Sequence, residues 1–136
     1  MSNFILKDNK ITLYDINHII CNNLQIELDN NLIKKVKNSR SFLEKKISKS
    51  NDVIYGVNTG FGDLHNIKIE QKKLSELQLN LIRSHACGTG KKINVEIVRL
   101  MLLLKIISLS KGNSGVRIET INRLIFFFNN NLFPIV

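Results

Sequence analysis

The chain has 136 residues, 43% of them apolar and 23% charged, and a net charge of +9. That balance describes a globular chain long enough to bury a core. With one Pro and seven Gly, it excludes collagen-like, low-complexity and disordered classes. Two Cys far apart form neither a disulfide framework nor a metal signature. No apolar run reaches the ~18 residues of a membrane span, and the opening MSNFILKDNK lacks a signal-peptide core. The expectation is a cytoplasmic protein. Twenty Ile, 18 Asn and 15 Lys fit an AT-rich coding sequence as easily as selection on the protein, which discounts the charge as a sign of nucleic-acid affinity.

The elements predicted in chain order are mostly helical. Residues 4–13 fit a small hairpin around Asp8-Asn9. A short helix follows, opened by the Thr12/Asp15 capping spacing. Asp29 is placed to cap a long helix reaching about Ser48, whose Ile33, Val36, Leu43 and Ile47 recur at helical spacing. Residues 34–49 of that helix carry seven cations and one anion, a pattern read as a solvated face. Val53–Tyr55 is expected extended, followed by a glycine-rich loop to about Asn66. An amphipathic helix with Leu74, Leu77, Leu81 and Ile82 fades at Gly88. The stretch 97–110 is apolar on nearly every side and belongs at the centre of a bundle or under a partner. Ser114 has the position of an N-cap for a last helix bearing Ile118, Ile121, Leu124, Ile125 and Phe128. No internal repeat or domain boundary is visible.

All seven glycines fall between positions 56 and 115, in the loops YGVNTGFG, CGTG and KGNSG. Each loop adjoins a group capable of chemistry: Tyr55, His85 or Ser114. Nucleotide binding does not explain them. Gly88-Thr89-Gly90-Lys91-Lys92 has His85 where a phosphate loop needs its first Gly, and Lys92 where it needs Ser or Thr. Gly56, Gly60 and Gly62 make GxxxGxG, not the dinucleotide GxGxxG. His18, His65 and His85 have no metal-ligand spacing.

The loop from Tyr55 to Gly62 resembles the N-terminal active-site loop of the aromatic amino acid ammonia-lyases. Asn80–Gly90 and Ser108–Arg117 resemble that family's next two blocks, in order. Ser84-His85 is similar to the version found in histidine ammonia-lyases. The resemblance implies a mainly α fold, with residues 1–136 forming a single, incomplete N-terminal domain. It also implies elimination of ammonia from L-histidine to give trans-urocanate.

Under that resemblance Tyr55 is the candidate base for the β-proton. A phenol holds its proton well above neutral pH, so this role needs a positive field or hydrogen bonds. Ser84 and His85 are candidate substrate contacts, an imidazole being able to donate or accept to another imidazole. Gly56, Asn58, Thr59, Gly60, Phe61 and Gly62 form the active-site loop, with Gly60 and Gly62 letting it fold over substrate. Taken without the resemblance, Tyr55 reads as a packing residue and His85 as a helix-end cation. Cys87 and Arg117 are given no site role.

The family's electrophile, methylidene-imidazolone, forms from an internal Ala-Ser-Gly, which occurs nowhere in these residues. No cofactor is therefore expected to be encoded in this chain, and no metal. The implied protein is a truncated lyase, inactive alone, from a family of homotetramers. An alternative is half of a split lyase completed by a second polypeptide. A small basic module for nucleic acid or an acidic partner, built on the 34–49 helix, is the competing reading.

Overall fold

The computed structural model describes residues 2–49, 53–60, 62–64, 67 and 69–136. The chain divides into two compact units, 1–46 with 92–136, and 47–91. In chain order the elements are β1 (Asn3–Leu6), α1 (Leu13–Cys21), β2 (Gln25–Leu28), α2 (Asn30–Lys49), α3 (Leu74–His85), α4 (Val95–Ser110) and α5 (Ile118–Asn129). Short 3-10 turns at Gly62–Leu64 and Gln71–Lys73 precede α3.

The expected N-terminal hairpin does not form. β1 pairs instead with β2, in parallel, with Phe4 opposite Ile26 and Leu6 opposite Leu28. A parallel pair needs a crossover, and α1 supplies it. The Thr12 side chain accepts from the Asp15 N–H, and the Asp15 side chain accepts in return from the Thr12 N–H. The capping box thus starts a helix where a hairpin would need a second strand. Hydrogen bonds from Thr12, first through its side chain and then its backbone, hold the Asp15 carboxyl below its ordinary value.

Asp29 caps α2 as expected, its Oδ1 accepting from the Leu32 N–H at 2.8 Å. The lysines at 34, 35, 37, 45, 46 and 49 are exposed, while Leu32 and Val36 are buried. The core of this first unit joins Leu6, Ile19, Ile26, Leu32, Val36, Leu103, Ile106, Ile121 and Phe128. Burial of side chains this size contributes about 1.5–3 kcal/mol each. A polar clamp crosses the core edge: Asn129 Oδ1 accepts from the Ile26 N–H at 2.9 Å, and its Nδ2 donates to the Ile26 carbonyl at 3.0 Å.

The N-cap of α5 is Arg117, with no side-chain cap bond, rather than Ser114. The KGNSG loop is shaped by close approach to α2. Gly115 N–H donates to Ser39 Oγ at 3.2 Å, and Arg40 Nη1 donates to the Gly115 carbonyl at 3.3 Å. A Cβ on Gly115 would stand 2.6 Å from Leu43 Cδ2, and the backbone there has φ +66°. Gly112, at φ +73°, meets the Lys35 backbone in the same way. These glycines are therefore explained by packing. Gly115→Ala is expected to destabilise this unit by about 1–3 kcal/mol, measured by thermal or urea unfolding.

One face of α4 is buried through Val98, Leu103 and Ile106. Ile97, Met101 and Leu104, at i, i+4 and i+7, form an exposed apolar stripe, each at least 44% accessible. Such a contiguous stripe drives association. The chain is expected to self-associate, and the triple change Ile97→Gln, Met101→Gln, Leu104→Gln to shift it toward monomer in sedimentation velocity. A monodisperse parent monomer would contradict this.

Candidate functional site

Tyr55, the glycine loop, Ser84 and His85 all fall in the second unit, residues 47–91. The loop is built by its own polar side chains. The Ile54 carbonyl accepts from the N–H groups of Val57 and Asn58, both at 3.1 Å. Asn58 Oδ1 returns the bond by accepting from the Ile54 N–H at 2.7 Å. The Asn58 carbonyl accepts from the Ile69 N–H at 2.8 Å, and the Gly60 N–H donates to the Ile67 carbonyl at 3.2 Å.

Thr59 is fully buried, its hydroxyl donating to the Gly60 carbonyl at 2.9 Å and accepting from the Gly56 N–H at 3.4 Å. Asn58 is also buried. These two side chains satisfy backbone groups that a tight loop would otherwise leave unpaired. Gly56 (φ +73°) and Gly62 (φ +58°) adopt conformations unfavourable for other residues. Tyr55, at the loop's start, is 62% exposed. Phe61, expected in the same loop, lies outside the described residues, as does His65.

The second group sits on the last turn of α3. Leu74, Leu77 and Leu81 are half-buried, whereas Ile82 is exposed. The Ala86 N–H closes the helix onto the Ile82 carbonyl at 2.8 Å. Ser84 Oγ lies 2.8 Å from the Asn80 carbonyl and 2.9 Å from His85 Nδ1. His85 Nδ1 also lies 3.0 Å from the Leu81 carbonyl.

In the tautomer that carries its proton on Nδ1, that N–H faces the Leu81 carbonyl, which can only accept. The Ser84 hydroxyl then donates to Asn80 and accepts from the imidazole. In the neutral ring, Nε2 is left as an acceptor at an exposed helix end. The Ser84 hydroxyl, able to donate or accept, restrains the ring of its neighbour in either tautomer, which the sequence motif by itself does not reveal.

The third block, Ser108–Arg117, belongs to the other unit. Arg117 lines a cavity there with Lys37, Arg40 and Glu44. Among the described residues no group of three His, Cys, Asp or Glu is placed to hold a metal ion. Cys21 and Cys87 are both exposed free thiols. No described helix is long and apolar enough to cross a membrane.

The chain belongs to the aromatic amino acid lyase family, which its residues 11–136 match. It is 44% identical over 133 residues to the histidine ammonia-lyase of Legionella pneumophila strain Corby, covering 98% of this chain and 26% of that protein. It is 45% identical over 136 residues to that of Shewanella woodyi, covering 100% of this chain and again 26% of the relative. The chain therefore spans about a quarter of the length of these curated relatives.

Among solved structures, Pantoea agglomerans phenylalanine aminomutase matches at TM-score 0.84 and 35% identity, over 95% of this chain and 25% of that one. The Trypanosoma cruzi histidine ammonia-lyase matches at 0.77 and 32%, over 95% and 24%. The ergothioneine-degrading ergothionase of Treponema denticola matches at 0.90 and 25%, over 98% and 27%. The mainly helical architecture is that of these lyases and aminomutases.

Asn58→Ala removes the acceptor for the Ile54 N–H. Exchange of that amide is expected to accelerate about tenfold or more. Asn58→Asp, which keeps the oxygen, restores protection. Both are read by hydrogen exchange.

Proposed function

We propose that this chain is the N-terminal portion of a histidine ammonia-lyase, contributing a proton-abstracting loop and one substrate contact. The observation that carries the reading is the Ser84–His85 pair. It presents an exposed imidazole whose Nδ1 faces the Leu81 carbonyl and the Ser84 hydroxyl, and with the proton on Nδ1 its Nε2 is an acceptor. An acceptor nitrogen is complementary to the N–H of a second imidazole, whereas an aromatic hydrocarbon ring offers it no donor. The high identity to histidine ammonia-lyases supports the same substrate.

In this role Tyr55 removes the β-proton of L-histidine, while the loop pinned by Asn58 and Thr59 holds the phenol's backbone in place. His85 fixes the imidazole end of the substrate, and Ser84 acts on it as a positioning residue. The chain supplies no group that turns the amine into a good leaving group. Proton abstraction without that activation does not lead to elimination. The 136 residues alone are therefore inactive, and activity requires the segments that make up the rest of the relatives' length, on this polypeptide or on a second one.

The test is co-expression with the remaining C-terminal part of the Legionella pneumophila enzyme, following urocanate by its absorbance. Urocanate is expected from the pair and not from the chain alone. Tyr55→Phe in the active pair should lower kcat on the order of 10²–10⁴-fold, and His85→Ala should raise KM for histidine. Activity of the isolated chain would contradict the reading. So would a properly associated pair without activity.

A further inference from the structure

A cavity of about 400 Å³ opens in the first unit where the ends of α1 and α5 meet α4. Its lining includes Asn22, Asn23, Arg99, Phe128, Asn129 and Asn131. Among the described residues lining it, Arg99 carries the only charge and no side chain is acidic. Arg99 comes from an apolar run on α4, flanked by the buried Val98. A guanidinium in such a place costs free energy unless its donors are satisfied.

They are satisfied only in part. Arg99 Nη1 donates to Asn23 Oδ1, and the guanidinium carbon stands 5.0 Å from the centre of the Phe128 ring. Its Nε is buried and has no hydrogen-bond partner among the described residues. Burial pushes the guanidinium below its ordinary value. No described carboxylate forms an ion pair with it; the described pairs are Lys35–Asp8, Arg40–Glu44 and Lys72–Glu70.

Helix C-termini are a common place for a cation, and several carbonyls of these two helix ends already take a backbone donor. Asn22 N–H takes the His18 carbonyl, and Asn23 N–H that of Ile20. Asn130 N–H takes the Phe126 carbonyl, and Asn131 N–H that of Phe128. Asn129 has both ends of its amide on Ile26. The two asparagines at the helix exits, Asn23 (φ +50°) and Asn131 (φ +54°), turn the chain back around the cavity.

We infer that the Arg99 cavity is a carboxylate-binding site, in which a planar, singly charged group pairs with the guanidinium beside the asparagine amides. A carboxylate offers two oxygens to the guanidinium N–H groups in a planar fork that neutral amides cannot provide. One cation suits one negative charge, which favours a carboxylate over a phosphate. The carboxylate comes from a free small acid or from an acidic side chain of a polypeptide.

The test follows the Arg99 Nε–H resonance and the thermal midpoint of the chain. Both are measured in the parent and in the Ile97→Gln, Met101→Gln, Leu104→Gln background. Acetate and the peptide acetyl-Gly-Glu-Gly-amide are titrated against sodium chloride at matched ionic strength. A saturable shift with either probe, lost in Arg99→Gln, is expected. Acetate binding alone identifies a free acid, peptide binding alone an acidic side chain, and both a site open to either.

Asn131→Asp, which places a carboxylate in the cavity and tolerates the left-handed backbone, should raise the midpoint and abolish the response to added probe. No shift with either probe, an equal shift in chloride, tighter binding of inorganic phosphate, or a lowered midpoint in Asn131→Asp would overturn the inference.

Discussion

The first unit depends on one side chain reaching across 103 positions of sequence. Asn129, the last residue of α5, places its amide against Ile26 of β2 and exchanges two hydrogen bonds with that residue's backbone. In a parallel pair, the N–H and carbonyl of every second residue point away from the partner strand. With only two strands in the sheet, those outward groups of Ile26 would be unsatisfied beside a fully buried side chain. The amide of Asn129 acts as one residue of a missing third strand. Because Phe128 is buried in the same core, the clamp and the apolar contact fix α5 on β2 together. Loss of either polar group would leave its partner unpaired at the edge of a dry core, which costs more than the bond itself contributes.

How legible this was from sequence depends on the range of the interaction. The Thr12/Asp15 box and the Asp29 cap are local, so residue type and spacing suffice to place the starts of α1 and α2. The basic face of α2 likewise follows from helical periodicity. The hairpin fails because strand pairing is not local: β1 alternates well enough to be a strand, but its partner lies beyond α1. Ser114 fails for a related reason. It has the right chemistry for a cap, yet the approach of Gly112 and Gly115 to α2 decides where α5 begins. The Asn129 clamp has no signature at all in a chain so rich in asparagine.

The candidate site shows the same division. The glycine loop and Ser84–His85 are recognisable as motifs, and both fall in one compact unit. What the motifs do not convey is why Asn58 and Thr59 belong among the glycines. They are buried acceptors and donors for backbone groups of the loop itself. Glycine supplies the permitted angles, while these polar side chains select one conformation from the many that glycine allows. The proton-transfer role proposed for Tyr55 calls for both properties, since the group must be reachable and yet held in place. Arg99 left one local signal, a single cation inside the apolar run of α4, but its meaning required the surrounding asparagines.

The relatives place a limit on what architecture can explain. Phenylalanine aminomutase, histidine ammonia-lyase and ergothionase share this fold while their names describe different substrates and reactions. The backbone therefore does not choose the substrate, and the choice rests with side chains displayed at helix ends and loops. Under the proposed function, Ser84–His85 is such a display. The same imidazole would accept or donate according to which nitrogen holds the proton, so its meaning for a ligand is set one bond away, by Ser84 and the Leu81 carbonyl. Replacing the serine with an apolar residue would leave the helix intact and keep the Nδ1–Leu81 contact, but remove a hydroxyl that also restrains the ring. Specificity in this arrangement is a property of the hydrogen-bonded pair, not of the histidine alone.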